Sequence, residues 1–243
     1  MEKKYINIFN GYRGAYGVAD WTNAQVDPET GKLRPDYRWT FEPFTDQVYI
    51  KHLNGEESVG IQPTNEDSKA MFAVIDIDPK DYKDFSKKTY LDKIQEYKLP
   101  LIPIESKSGG LHLFLFMEEF VPSTVLVSFM SNLLPLLKLK PETEIFPKQT
   151  HLPKDNETGK LRPGQFINLP YYKTTERGGH LLMTAQQPPS RWKVDLPDLK
   201  SRLGAALVCE ISPIIKKQNV EQLILKMELI LLLNNLYKLL NRI

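Results

Sequence analysis

The sequence is almost without cysteine: Cys209 is the single one among 243 residues. One thiol can build neither an intrachain disulfide nor a cysteine-based zinc site. A reducing, intracellular and cytoplasmic setting follows as the expectation, with no zinc. Long apolar runs are missing too. The most apolar window, Leu229–Leu233, has five residues, whereas a membrane-spanning helix needs roughly 20. Met1-Glu-Lys-Lys runs into a mixed polar segment, not a secretory signal. Nor is there a surplus of one charge. Lys and Arg number 32 against 30 Asp and Glu, which excludes a histone-like basic binder but leaves room for a local basic groove. What remains, 41% hydrophobic and 26% charged residues, describes a soluble globular chain with room for one large domain or two small ones.

The pattern along the chain is mixed. Val48–Leu53, before Asn54-Gly55, reads as a short helix or strand closed by a turn, and Val59–Ile61 as a short strand. Met71–Ile77 is the strongest strand, stopped by Pro79. Leu91, Ile94 and Tyr97 recur at helical spacing, so Thr89–Tyr97 predicts a helix ended by Pro100. Leu101–Glu105 and Leu111–Met117 are strands around a Gly-rich turn, and Pro122 opens a helix to about Leu137. Glu144–Phe146 and Gln165–Leu169 are extended and stopped by Pro147 and Pro170. Such an order is α+β: an antiparallel sheet, similar to the RNA-recognition motif, with helices on one face. The boundaries are 1–70, 71–195 and a helical tail over 196–243.

The run Phe72-Ala-Val-Ile-Asp76-Ile-Asp78 carries the chemistry. Side chains at i and i+2 of a strand share a face. Asp76 and Asp78 therefore project together, with Ile75 and Ile77 buried behind them. Two anions so close call for a cation, and a hard divalent ion such as Mg²⁺ suits carboxylate oxygens plus substrate phosphates. Ser106-Lys107-Ser108-Gly109-Gly110-Leu-His112 offers a tight turn with inward amides, hydroxyls and a lysine for an anion. His112 shares its strand face with Phe114 and Phe116, and triphosphate contact is favoured over a merely structural histidine. Glu144-Ile-Phe-Pro-Lys148-Gln149 adds a third carboxylate. Glu144 reads as a metal ligand or an aligning base, with Lys148 or Gln149 reaching phosphates. Tyr171 and Tyr172 either stack on bases or belong to the core. Glu29–Pro35 recurs as Glu157–Pro163: two Gly-centred β-turns, or two basic tips that touch a nucleic-acid backbone.

Taken in order, these motifs resemble the archaeo-eukaryotic primase superfamily of primase-polymerases, most of all its phage, plasmid and TOTE-conflict-element branch. The likeness spans roughly residues 5–172. It includes Phe9-x-Gly11 with Tyr16-Gly17, Ile50-x-His52-Leu53-x-Gly55 with Gly60-Ile61, and Gly164-x-x-Ile-Asn-Leu-Pro170. The resemblance implies a template-directed nucleotidyltransferase, its RNA-recognition-like sheet packed beside a small N-terminal α/β unit. Asp76, Asp78 and Glu144 would bind two Mg²⁺ or Mn²⁺ ions. Ser106, Lys107, Ser108, Gly109, Gly110 and His112 would hold the triphosphate, with Lys148 and Gln149 beside them. Single-stranded DNA template, a primer and dNTP or NTP are the implied partners, with a separate helicase or initiation factor in a prokaryotic, phage or mobile-element setting. The sequence departs from many relatives in having Glu144 where they have Asp. It also lacks the cysteine cluster that assists initiation, which weakens the case for de novo priming more than for primer extension.

Two rival functions use the same residues. A metal-dependent nuclease would use the carboxylates with Lys148, but has no triphosphate to cradle in the Ser/Gly/His turn. A catalytically silent single-strand-binding module would use the aromatics alone. Residues 219–243 read as one helix with a wide apolar stripe, which packs on the domain's own core or forms a dimer.

Overall fold

The structure is a computed structural model that describes residues 2–26, 28, 33–106 and 109–172. Cys209 and the tail over 196–243, with its core-or-dimer helix, lie outside them. In chain order the elements are α1 (Glu2–Ile8), β1 (Tyr16–Val26), β2 (Leu33–Thr40), α2 (Asp46–Leu53), β3 (Val59–Ile61) and β4 (Lys69–Ile77). A 3-10 turn (Pro79–Asp81) follows, then α3 (Lys87–Glu96), β5 (Ile102–Glu105), β6 (Leu111–Pro122), α4 (Ser123–Leu137), β7 (Glu144–Phe146) and β8 (Ile167–Asn168). The strands make two antiparallel sheets, ordered β2-β1-β3-β8 and β5-β6-β4-β7. The α+β expectation holds at this level. Val48–Leu53 takes the helical option.

The position of β4 explains its composition. It is central, paired with β6 on one side and β7 on the other, and both of its faces are covered. Ala73, Ile75 and Ile77 enter a core with Leu126, Met130 and Leu133 of α4 and Tyr90 of α3. Phe72 and Val74 enter a second core with Phe9, Val18, Tyr49, Val59 and Ile61 of the N-terminal elements. A strand buried on both faces needs apolar residues at every position, not at alternate ones. Ile75 and Ile77 are fully buried, as the i, i+2 reading requires.

Three elements went unread in the sequence: α1 and the β1–β2 ribbon. Trp21, Val26 and Tyr37 on the ribbon are exposed, so it lacks the clean alternation that marks a half-buried strand. The short β8, at 167–168, lies far from the N-terminal unit in sequence but completes its sheet. Gly60 faces Asn168 and Ile61 faces Ile167.

His52 fastens this junction. It is fully buried. The Val59 N–H donates to its Nδ1 at 3.1 Å, so Nε2 carries the proton and donates to the Pro170 carbonyl at 2.9 Å. One imidazole thus ties α2 to the starts of β3 and of the segment after β8. His52→Ala is expected to destabilise the fold by about 3 kcal/mol, from two lost buried hydrogen bonds and a cavity. Urea unfolding followed by circular dichroism measures it; an unchanged midpoint would refute the fastening role. Tyr171 and Tyr172 pack close by, on Tyr5 at 6.2 Å and on His52 at 5.5 Å between ring centroids. Their core reading is the one the geometry favours.

Candidate active site

At its C-terminal end β4 leaves the core and turns polar. Register does the rest. Asp76 faces His112 of β6 on one side and Glu144 of β7 on the other. Directly opposed residues of an antiparallel sheet share a face, with Cβ atoms about 5 Å apart. Three motifs distant in sequence therefore stand in one row across three adjacent strands. Asp76 Oδ1 lies 3.3 Å from His112 Nε2. Asp78, two residues on, caps the 3-10 turn: its Oδ1 accepts the Lys80 N–H at 3.2 Å.

The Gly-rich turn joins β5 to β6 and abuts the same end of β4. The Ser106 N–H donates to the Gly110 carbonyl at 3.0 Å, and the Gly109 N–H to the Ser106 carbonyl at 3.0 Å. The two glycines are needed for different reasons. Gly109 has φ +86°, with open space where a Cβ would stand, so its need is conformational. A Cβ on Gly110 would lie 2.4 Å from the Ile77 carbonyl oxygen and 3.1 Å from Pro79 Cδ, so its need is close approach. The turn is thereby held against the strand end that carries the two aspartates. Lys107 and Ser108 lie outside the described residues.

Glu144 is exposed and pairs with Lys148 four residues later, Oε1 to Nζ 2.5 Å. The same ammonium sits 5.3 Å from the Phe146 ring centroid. Gln149 has a different use. Its Oε1 accepts the Gln165 N–H at 2.7 Å, and its carbonyl accepts the Thr64 hydroxyl at 2.6 Å. It clasps the approach to β8, where Phe166 lies against the places a Cβ would take on Gly17 and Gly60.

Each of the three carboxylates thus has its own basic neighbour: Lys80 on Asp78 at 3.0 Å, His112 on Asp76, Lys148 on Glu144. The hydrogen bond and charge of Asp78 push the Lys80 ammonium pKa up; partial burial and the nearby Arg34 act the other way. Among the described residues, no three His, Cys, Asp or Glu side chains converge closely enough to hold a metal ion. The donor set nonetheless fits a hard cation: all-oxygen carboxylates, partly exposed. Asp78 and Glu144 have to turn from their lysines before they could share an ion with Asp76.

Lys80 and Arg34 are the residues that sequence reading passed over. The sequence did hold a signal for Lys80, a lysine two residues after the second aspartate. Arg34 carries no such signal, because only folding brings β2 near Lys80. Arg34 belongs to the first Glu-Thr-Gly-Lys-Leu-Arg-Pro copy. The second copy is a capped turn with Gly159 at φ +67°. Asp155 Oδ1 accepts the Glu157 and Thr158 N–H groups, and Oδ2 pairs with Arg162. Lys154 faces Leu161 as Val26 faces Leu33, so the two copies share this cross-strand pairing. These bonds, the Thr158 N–H first and then Arg162, hold the Asp155 carboxyl well below the usual carboxylate range. A lowered folded-state pKa contributes order above about pH 4 that is lost as pH falls toward the folded value. Asp155→Ala is expected to abolish slow amide exchange at Thr158 at neutral pH; wild-type protection in the variant would refute the cap.

Comparison with known proteins follows the same residues. A family model described as "TOTE conflict system, Archaeo-Eukaryotic Primase domain" matches residues 6–187. Among solved structures, a crystal structure of the primase RepB' is similar with TM-score 0.34 and 14% identity, over 98% of this chain and 68% of that one. No curated protein matches.

Proposed function

The chain belongs to the archaeo-eukaryotic primase domain family of TOTE conflict systems, and from that membership we propose a template-directed nucleotidyltransferase, a primase-polymerase that adds nucleotides to a primer on single-stranded DNA. The observation that carries this reading is the register row: Asp76 between His112 and Glu144, with the Gly-rich turn held against the same strand end. The element order β4-α3-β5-β6-α4-β7, with strand order β5-β6-β4-β7 and α4 packed on one face, supports an RNA-recognition-like catalytic unit beside the N-terminal one.

Asp76, Asp78 and Glu144 would hold two divalent ions. When bound, such ions activate a primer 3′-hydroxyl and neutralise the leaving pyrophosphate. The remaining work falls to the protein. In the turn, whose Ser106 and Gly109 N–H groups bond to its own carbonyls, the side chains of Ser106, Lys107 and Ser108 would serve the phosphate oxygens. His112 sits where it can donate to a phosphate while its ring stays against Asp76. Lys148, released from Glu144, adds a positive charge at the β7 edge. Asp76, His112 and Glu144 stand on three adjacent strands of one sheet, and most of the catalytic gain in phosphoryl transfer comes from such positioning.

The test is extension of a labelled primer with Mg²⁺ or Mn²⁺ and dNTPs or NTPs, read as longer products with pyrophosphate released. Strand cleavage instead of extension would establish the nuclease. That no three His, Cys, Asp or Glu side chains converge among the described residues favours one rival, a silent single-strand-binding module. Single-strand binding with neither extension nor metal-dependent triphosphate binding would decide for it.

A further inference from the structure

Asp78 is occupied from one residue on both of its oxygens. Oδ1 takes the Lys80 backbone N–H at 3.2 Å and Oδ2 its ammonium at 3.0 Å. Nothing in the 3-10 turn needs the second contact. The backbone bond alone caps it, and the Lys80 side chain, 60% exposed, covers no core. The ammonium stands on an oxygen that a divalent ion would need. It also stands near a second cation, the Arg34 guanidinium of β2. An ammonium at the end of a four-carbon stem, in contact with the Asp78 carboxylate, with the Asp81 carboxylate and a guanidinium nearby, is a mobile charge.

We propose that Lys80 is an exchanging counterion: it neutralises Asp78 while the carboxylates hold no metal, and moves to the phosphates of the incoming nucleotide once a divalent ion takes its place. The inference rests on the nucleotidyltransferase reading. The argument is electrostatic. A divalent ion on Asp78 repels the ammonium that it displaces, and Arg34 bars a return on its side. Besides Asp81, the strong anion offered to it is the polyphosphate, which the same ion would bring to the β4 end. Lys148 on Glu144 has the same form at the other end of the row. Both outer carboxylates are thus in contact with a tethered cation. The sequence places a lysine two residues after Asp78 and four after Glu144, but only the fold sets each on its carboxylate.

The two halves of the proposal predict opposite signs. In the full chain, without primer or template, Mn²⁺ binding is titrated by electron paramagnetic resonance, and dATP binding in saturating Mn²⁺ by calorimetry. Lys80→Met keeps the stem and removes the charge. It is expected to bind Mn²⁺ alone about 5-fold tighter at low salt and dATP about 10-fold weaker. Lys83→Met, the same charge change at the exposed Lys83, is expected to move neither constant. Equal values for wild type and Lys80→Met, a shift of both constants in one direction, or an equal response to Lys83→Met overturns the counterion role. Failure of the underlying reading looks different: wild type itself shows no saturable Mn²⁺ binding, or binding that Asp76→Asn leaves intact. Thermal melting of each variant verifies that it is folded.

Discussion

Asp76→Asn is expected to lower primer extension on the order of 10³-fold while leaving the melting temperature within a degree or two of wild type. The size of the effect follows from position. Asp76 is the middle of the row, opposed by His112 and by Glu144 on adjacent strands. No neighbouring side chain can take over from it, because Ile75 and Ile77 face the other core. Asparagine keeps the volume and one acceptor oxygen but not the charge that would hold a divalent ion. The fold loses little, because the side chain is partly exposed and its partner His112 Nε2 stands at 3.3 Å, a contact of modest worth outside the core. Primer extension and differential scanning calorimetry on the same preparation separate the two quantities. Extension at the wild-type rate by a folded Asp76→Asn protein would end the nucleotidyltransferase assignment.

Gly110→Ala should cost about 2–3 kcal/mol of stability and weaken triphosphate binding by one to two orders of magnitude. The added methyl meets the Ile77 carbonyl at 2.4 Å and the Ser106 Oγ at 3.0 Å. The carbonyl is backbone of a central strand and cannot yield, so the turn must move outward. With it go the Ser106 N–H bond to the Gly110 carbonyl and the spacing between the turn and the aspartates. Gly109→Ala is the informative contrast: its Cβ meets nothing, and its φ of +86° costs about 1 kcal/mol. Thermal unfolding and calorimetric dATP titration of the pair test the ranking. If Gly110→Ala behaves as Gly109→Ala does, close approach is not what the second glycine provides.

The parts that were legible in the sequence share a cause. β4, β5, β6, α3, α4 and β7 were readable because burial imposed a periodic or continuous apolar pattern with proline or glycine at its ends. α1 and the β1–β2 ribbon were not. The ribbon leaves Trp21, Val26 and Tyr37 in solvent, and α1 is seven residues long, too short for a helical period to repeat convincingly. Of the site, the acidic and glycine-rich motifs could be named residue by residue. Gln149 could not be sorted from its neighbours. Adjacent in sequence to Lys148, it bonds to Gln165 and Thr64 at the β8 approach while Lys148 turns to Glu144.

The sequence by itself determined the chemistry on offer: three carboxylates, one histidine at the head of a strand and a turn that needs two glycines. Strand periodicity and turn composition are local properties, so they survive in a one-dimensional reading. Only the tertiary structure decided which of those groups meet. Antiparallel register sets Asp76 opposite both His112 and Glu144, and folding brings β2 and its Arg34 to Lys80. These are long-range pairings, fixed by which faces bury against which. No residue's neighbours in the chain carry that information.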